Sequence, residues 1–246
     1  MHIYKIYGGL TTLQNASAYA FSSFAVVHGA QIAISALGGP DAGNRWLLLG
    51  RPFYQDEHTE GIIVTGAATV HVLCGIAKAG IRWYCKKNQN VDIQTRLPLH
   101  HRLAGYILLP AVLLHYDLVR KLPARYFGDS AMLDLGHIAW GLQNWPIFTY
   151  TLHGILIGAA SWHIVHGAKA LLSTKKKGKT AAASSSSSSS TLTTPTTTQT
   201  ATRVTWITSA GIAVTLLSGL IVIGTQTKKI PLRYDYAQIY KMLFPF

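Results

Sequence analysis

Gly66-Ala67-Ala68-Thr69-Val70-His71-Val72-Leu73-Cys74-Gly75 returns ninety-two residues later as Gly158-Ala159-Ala160-Ser161-Trp162-His163-Ile164-Val165-His166-Gly167, with five positions identical. Each copy lies in a long apolar run. Residues 62–81 carry a single charge, Lys78 near one end, where a long side chain can snorkel to the headgroups. Residues 148–172 hold only Lys169. At about 1.5 Å per helical residue, both are long enough to cross a hydrocarbon core of roughly 30 Å. Small residues in the repeat suit close helix approach, or simply face lipid.

Three more runs complete the set. Residues 16–37 and 204–224 are uncharged, and 103–119 is a shorter run that contains Pro110 and Asp117. The first and third runs also align, at an offset of 87: Tyr19 matches Tyr106, and Ala25-Val26-Val27-His28 matches Val112-Leu113-Leu114-His115. The expected fold is therefore an all-α membrane protein of five transmembrane helices, four of them a pseudo-twofold bundle of two helix-hairpin repeats. Its parts would be a short N-terminal tail over 1–15, the bundle over 16–172, a disordered Lys/Ser/Thr linker over 173–203, and a fifth helix with an interfacial tail over 204–246. The linker is rich in Ser and Thr and holds Lys175, Lys176, Lys177 and Lys179, a composition that buries too little apolar surface to offset its ordering entropy.

Composition agrees with a membrane. Only 13% of the 246 residues are Asp, Glu, Lys or Arg, about half the roughly 25% of soluble domains. The formal net charge is +13. Placed on the five-span topology, 13 Lys/Arg and one acid, Asp92, fall on the side of the N-terminus, and nine Lys/Arg and eight acids on the other. By the positive-inside rule the N-terminal side is cytosolic. The basicity thus reports orientation and a face for anionic lipid or a partner, and argues against nucleic acid, because no basic residues cluster on a soluble recognition element. Cys74 and Cys85 share one helix about 16 Å apart and do not bridge.

The repeat sets one histidine in each of four spans: His28, His71, His115 and His163. Ionisable groups inside a bilayer face the bundle interior and are functional candidates by default. Neutral imidazoles on facing helices suit b-type haem, one or two per chain, since two ring nitrogens supply both axial bonds without adding buried charge. Equivalent positions would pair His28 with His115 and His71 with His163 as metal ligands. The alternative is that these rings hydrogen-bond neighbouring helices and hold no metal. His166 is a rival ligand one turn from His163, and His153 could serve a polar site. His100-His101-Arg102 could hold an anionic headgroup or a quinone oxygen, or snorkel. Asp56, Glu57, His58 and Glu60 form a polar loop, either solvated or cation-binding. No phosphate-cradling loop, Cys-x-x-Cys knuckle or nucleophile elbow is present, and no catalytic residue is expected.

Two stretches carry a family resemblance: Gly50-Arg51-Pro52-Phe53-Tyr54-Gln55-Asp56-Glu57 through Glu60 to His71-Val72-Leu73-Cys74-Gly75, and His101-Arg102-Leu103-Ala104-Gly105-Tyr106 through Pro110, His115, Arg120 and Leu122-Pro123. They resemble the transmembrane domain of the fungal mitochondrial adapter proteins of MCP type, over about 13–172. The resemblance implies a multi-pass protein of the mitochondrial outer membrane acting in lipid homeostasis, whose cytosolic tail recruits a bridge-like lipid-transfer protein to organelle contacts through a Pro-x-Pro motif. The roughly 15 residues before the first span here contain no proline. Either another segment recruits, such as the basic linker on the same face, or the chain keeps only the membrane-domain function. The lack of an Arg-rich amphipathic presequence favours the outer membrane. That membrane domain is also distantly similar to the haem-binding anchor subunits of fumarate reductase and succinate dehydrogenase. A dihaem cytochrome passing electrons to or from quinone is therefore the alternative function.

Overall fold

The structure is a computed structural model that describes residues 2–93, 97–130, 133–183, 196–229 and 233–243, with side chains except at 57, 173–183 and 196–202. Five helices are long and apolar enough to cross a membrane: α1 (His2–Tyr54), α2 (Glu60–Gln89), α3 (Leu99–Phe127), α5 (Pro146–Ala183) and α6 (Thr196–Gln226). Two shorter helices, α4 (Leu135–Asn144) and α7 (Tyr234–Leu243), complete the described secondary structure with a single helical turn, Glu57–Thr59. All five expected spans lie within the five long helices. The Ser/Thr-rich centre of the expected linker, 184–195, lies outside the described residues, and its ends fall on α5 and α6.

The helices exceed the apolar runs at both ends because hydrogen-bonded backbone continues into the headgroup region wherever no breaker intervenes. Breakers act at identifiable places. Gly39, just before Pro40, takes φ 76° and ψ 179° and splits α1 into two helical segments, a conformation open to glycine because it has no Cβ. Asn90 ends α2 in the left-handed region at φ 51°, which asparagine tolerates better than most residues. Asp56 accepts from the backbone N–H of His58 and Thr59 at 3.2 and 3.3 Å and caps the turn that follows. These two bonds hold its carboxyl below the usual range, so this member of the polar loop acts as a helix cap.

The chain divides into two compact units, Met1–Ile34 with Asp41–Thr95, and Ser35–Pro40 with Arg96–Phe246. The histidine-bearing helices expected to be related by a pseudo-twofold axis fall two in each unit.

In the first unit α1 and α2 pack side by side, with Ser17, Gln31, Tyr54, Cys74 and Cys85 buried and both cysteines as free thiols. Gln31 donates to the Tyr54 hydroxyl at 2.6 Å. A Cβ on Gly50 would stand 3.0 Å from both Val27 and Gln31, so glycine is what lets the second segment of α1 lie against the first.

The second unit has the larger core. Leu118, Leu122, Leu133, Leu152, Tyr236, Ile239 and Tyr240 form it, with Trp140, Trp145 and Phe148 packed around. The apolar face of α7 is turned into protein here. Burial of Tyr236, Ile239 and Tyr240 contributes roughly 1.5–3 kcal/mol each. Outside these cores the spans present Val26, Leu37, Ile62 and Val214 outward, surface that would drive aggregation in water and that lipid covers in a bilayer.

Candidate functional site

The four expected histidines divide two and two between the units. His71, on α2, points its Nδ1 at the Gln14 carbonyl oxygen of α1, 3.2 Å away. A carbonyl only accepts, so Nδ1 carries the proton and the ring's lone pair lies on Nε2. Gln14 returns the bond, its Nε2 donating to the His71 carbonyl at 3.2 Å. A Cβ on Gly75 would stand 3.1 Å from that amide, so the glycine one turn along makes room for the clasp.

The second unit repeats the clasp with different chemistry. His163, on α5, places Nδ1 3.1 Å from the His101 carbonyl oxygen of α3. Gln14 and His101 are separated by the same 87 residues that align the first and third runs, and His71 and His163 by the 92 that align the second and fourth. Gly75 recurs as Gly167, whose Cβ would meet His101 Cε1 at 3.2 Å. The repeat in the sequence thus returns as an equivalent helix-to-helix hydrogen bond inside each unit. His101 is not the snorkelling interfacial residue its position suggests: it is buried and stacks on His163, ring centroids 4.0 Å apart and planes 14° from parallel.

The other two histidines are held by rings. His28 stacks on Phe24 at 5.2 Å and meets Tyr54 edge-on at 6.3 Å. His115 lies edge-on to His153, centroids 5.2 Å apart. His153 Nδ1 donates to the Thr149 carbonyl at 2.8 Å, and His166 Nδ1 donates to Trp162 at 3.0 Å, both back along α5. His166 also stacks on Trp162, which packs edge-on against Trp206 of α6. The expected pairs His28–His115 and His71–His163 each take one member from each unit. Among the described residues no group of three or more His, Cys, Asp or Glu side chains gathers around a metal-sized site.

One buried histidine was not singled out from sequence. His137, on α4, lies outside the apolar runs, yet is 1% exposed. Its Nε2 donates to the Leu118 carbonyl at 3.2 Å, in the stretch Asp117–Lys121 where α3 widens to π geometry. Tyr236 and Tyr240 flank the ring at 5.0 and 5.2 Å. Burial pushes its pKa down to about 4, with the Leu118 bond opposing. The same burial raises Tyr236 to about 12 and holds Tyr240 above its usual range. His137 is buried between the Leu118 stretch of α3 and the tyrosines of α7, and no local pattern around residue 137 announces that packing. Arg233, at the start of α7, makes a bidentate pair with Asp235 at 3.0 and 2.8 Å and lies over Tyr236.

Five spans, half-buried polar clasps between helices and outward apolar surface define a multi-span helical membrane protein with histidines between its helices. Residues 110–228, just under half of the chain, match the family model of the MDM10-complementing protein 1 transmembrane domain. The match starts at Pro110, inside the second stretch that carried the resemblance, and extends through α6. The first stretch, 50–75, lies outside it. No curated protein and no solved structure matches the chain.

Proposed function

We propose that this protein acts in mitochondrial lipid homeostasis as a multi-pass outer-membrane adapter, N-terminus in the cytosol, that recruits a bridge-like lipid-transfer protein to organelle contacts. The match over residues 110–228 carries this reading. The one-sided charge, 13 Lys/Arg against a single acid on the N-terminal side, supports it by offering a basic face to a partner. Deleting the gene is expected to change mitochondrial phospholipid composition and reduce organelle contacts; a strain with unchanged lipids and contacts refutes the adapter reading. Protease protection of an N-terminal epitope in intact mitochondria would refute the orientation.

A second reading, haem b held by His28, His71, His115 and His163, is favoured by the two clasps. Metal-bound histidines characteristically donate their other ring N–H to a backbone carbonyl, which fixes the tautomer and raises ligand basicity, and His71 and His163 both do so. Bound haem would supply one-electron transfer, to or from a quinone. The chain's own contribution is to hold two imidazoles neutral with the lone pair on Nε2. Protein purified in detergent is then expected to show reducible Soret and alpha bands that weaken in His71→Leu and His163→Leu; a featureless visible spectrum ends this reading.

A further inference from the structure

The clasp of the first unit carries two cations that the second lacks. Lys78 and Arg82 are one turn apart on α2, about 6 Å along the axis. Both turn toward α1. Lys78 Nζ donates to Gln14 Oε1 at 3.1 Å and lies 5.1 Å above the Tyr7 ring centroid. Arg82 Nη1 donates to the Tyr7 hydroxyl at 3.2 Å. A snorkelling side chain stretches along lipid to water, whereas these heads are drawn into the interhelical cleft and half-buried.

Among the described residues no carboxylate pairs with them. Among the described residues the ion pairs are Lys121 with Asp117 and Arg233 with Asp235, both in the other unit. Of the first unit's described acidic side chains, Asp41, Asp56 and Glu60 lie beyond the opposite ends of the spans, and Asp92, on this side, is exposed. Two like charges one turn apart repel, more so where protein and lipid displace water. Each head has spent one N–H of the several it carries. Depth identifies the counterion. Trp83 and Tyr84, next to Arg82, are 63% and 47% exposed, and outward Trp and Tyr mark the headgroup level of a bilayer. Arg82 is thus at the depth of lipid phosphates, with Lys78 one turn below. In the second unit the matching positions are Ala170 and Thr174.

We propose that Lys78 and Arg82, framed by Tyr7 and Gln14, bind the phosphate of an anionic phospholipid in the leaflet on the N-terminal side. The test uses the full chain purified in detergent, with phosphatidylglycerol, phosphatidylcholine and inorganic phosphate as probes, read by native mass spectrometry and thermal unfolding. Phosphatidylglycerol is expected to stay bound and raise the unfolding midpoint, and phosphatidylcholine to do neither. The K78Q/R82Q variant should bind it at least about tenfold more weakly, because two charge-assisted hydrogen bonds are lost. K86Q/K87Q, which removes two exposed charges from the same helix, should bind as wild type. Equal losses in both double variants would mean diffuse surface charge and overturn the site, as would undiminished binding in K78Q/R82Q. Displacement of the lipid by millimolar inorganic phosphate would overturn the lipid source and make this a soluble-phosphate site. Should K78Q/R82Q fail to fold, the wild type still decides: no preference for phosphatidylglycerol over phosphatidylcholine overturns the proposal.

Discussion

The two clasps use one backbone device with opposite side-chain solutions. Around His71 the partner is a flexible amide, Gln14, tied to Lys78 at 3.1 Å. Around His163 the partner is a rigid ring, His101, stacked at 4.0 Å. A carbonyl on the preceding helix orients both histidines at nearly the same distance, 3.2 and 3.1 Å. The backbone supplies the same bond in both units, while the side chains differ: the first clasp is polar and charged, the second aromatic and tightly packed. The first should tolerate added volume and respond to anions; the second should tolerate neither added volume nor added charge.

The largest test of that contrast is acid. The second unit buries neutral His137 with a pKa near 4, against about 6.5 when unfolded. Because the folded value is the lower one, its stabilisation is complete above about pH 6.5 and drains away as pH falls toward 4, on the order of 3 kcal/mol in all. Thermal melts in detergent across that window should show His137→Gln losing less stability than wild type; parallel curves would remove His137 from the account. Next comes volume in the second clasp. Gly167→Val drives a side chain against the His101 ring, which the stack pins, and should cost about 2 kcal/mol. Gly105→Ala puts a Cβ 3.0 Å from His163 Cε1 and 3.3 Å from its Nδ1, prising the ring from its carbonyl for about 1 to 2 kcal/mol. The smallest effect belongs to the first clasp: Gly75→Val meets only the movable end of Gln14 and should cost less than about 1 kcal/mol. If Gly75→Val proves as damaging as Gly167→Val in the same melts, the difference in rigidity between the clasps is not real.

Much of this is legible in the sequence. Apolar runs predict the five spans because burial of backbone in lipid demands helix over the whole thickness, and the offsets of 87 and 92 relate the two hydrogen-bonded pairs, Gln14 with His71 and His101 with His163. Less visible was the partner of each ring. Gln14 and His101 contribute carbonyl oxygens, which every residue possesses, so no residue type signals the bond; the shared offsets and the glycines at 75 and 167 were the available hints. The break at Gly39 was foreshadowed by Gly38-Gly39-Pro40, whereas the π-helical stretch at 117–121 had no local signature. The expected interfacial tail rests on a mixture of charged and apolar residues, and such a mixture reports only that part of it seeks an apolar surface; membrane and protein core look alike to it.

By itself the sequence determined how many segments are long and apolar enough to cross a bilayer and where the charges fall along the chain, because these follow from local hydropathy and chain order. Only the tertiary structure decided which nitrogen of His71 and His163 keeps its lone pair, that His101 and His137 are buried, and that Lys78 and Arg82 face inward. Those properties depend on what a neighbouring helix places within about 3 Å, the range of a hydrogen bond, and such neighbours are set by packing between segments far apart in the chain.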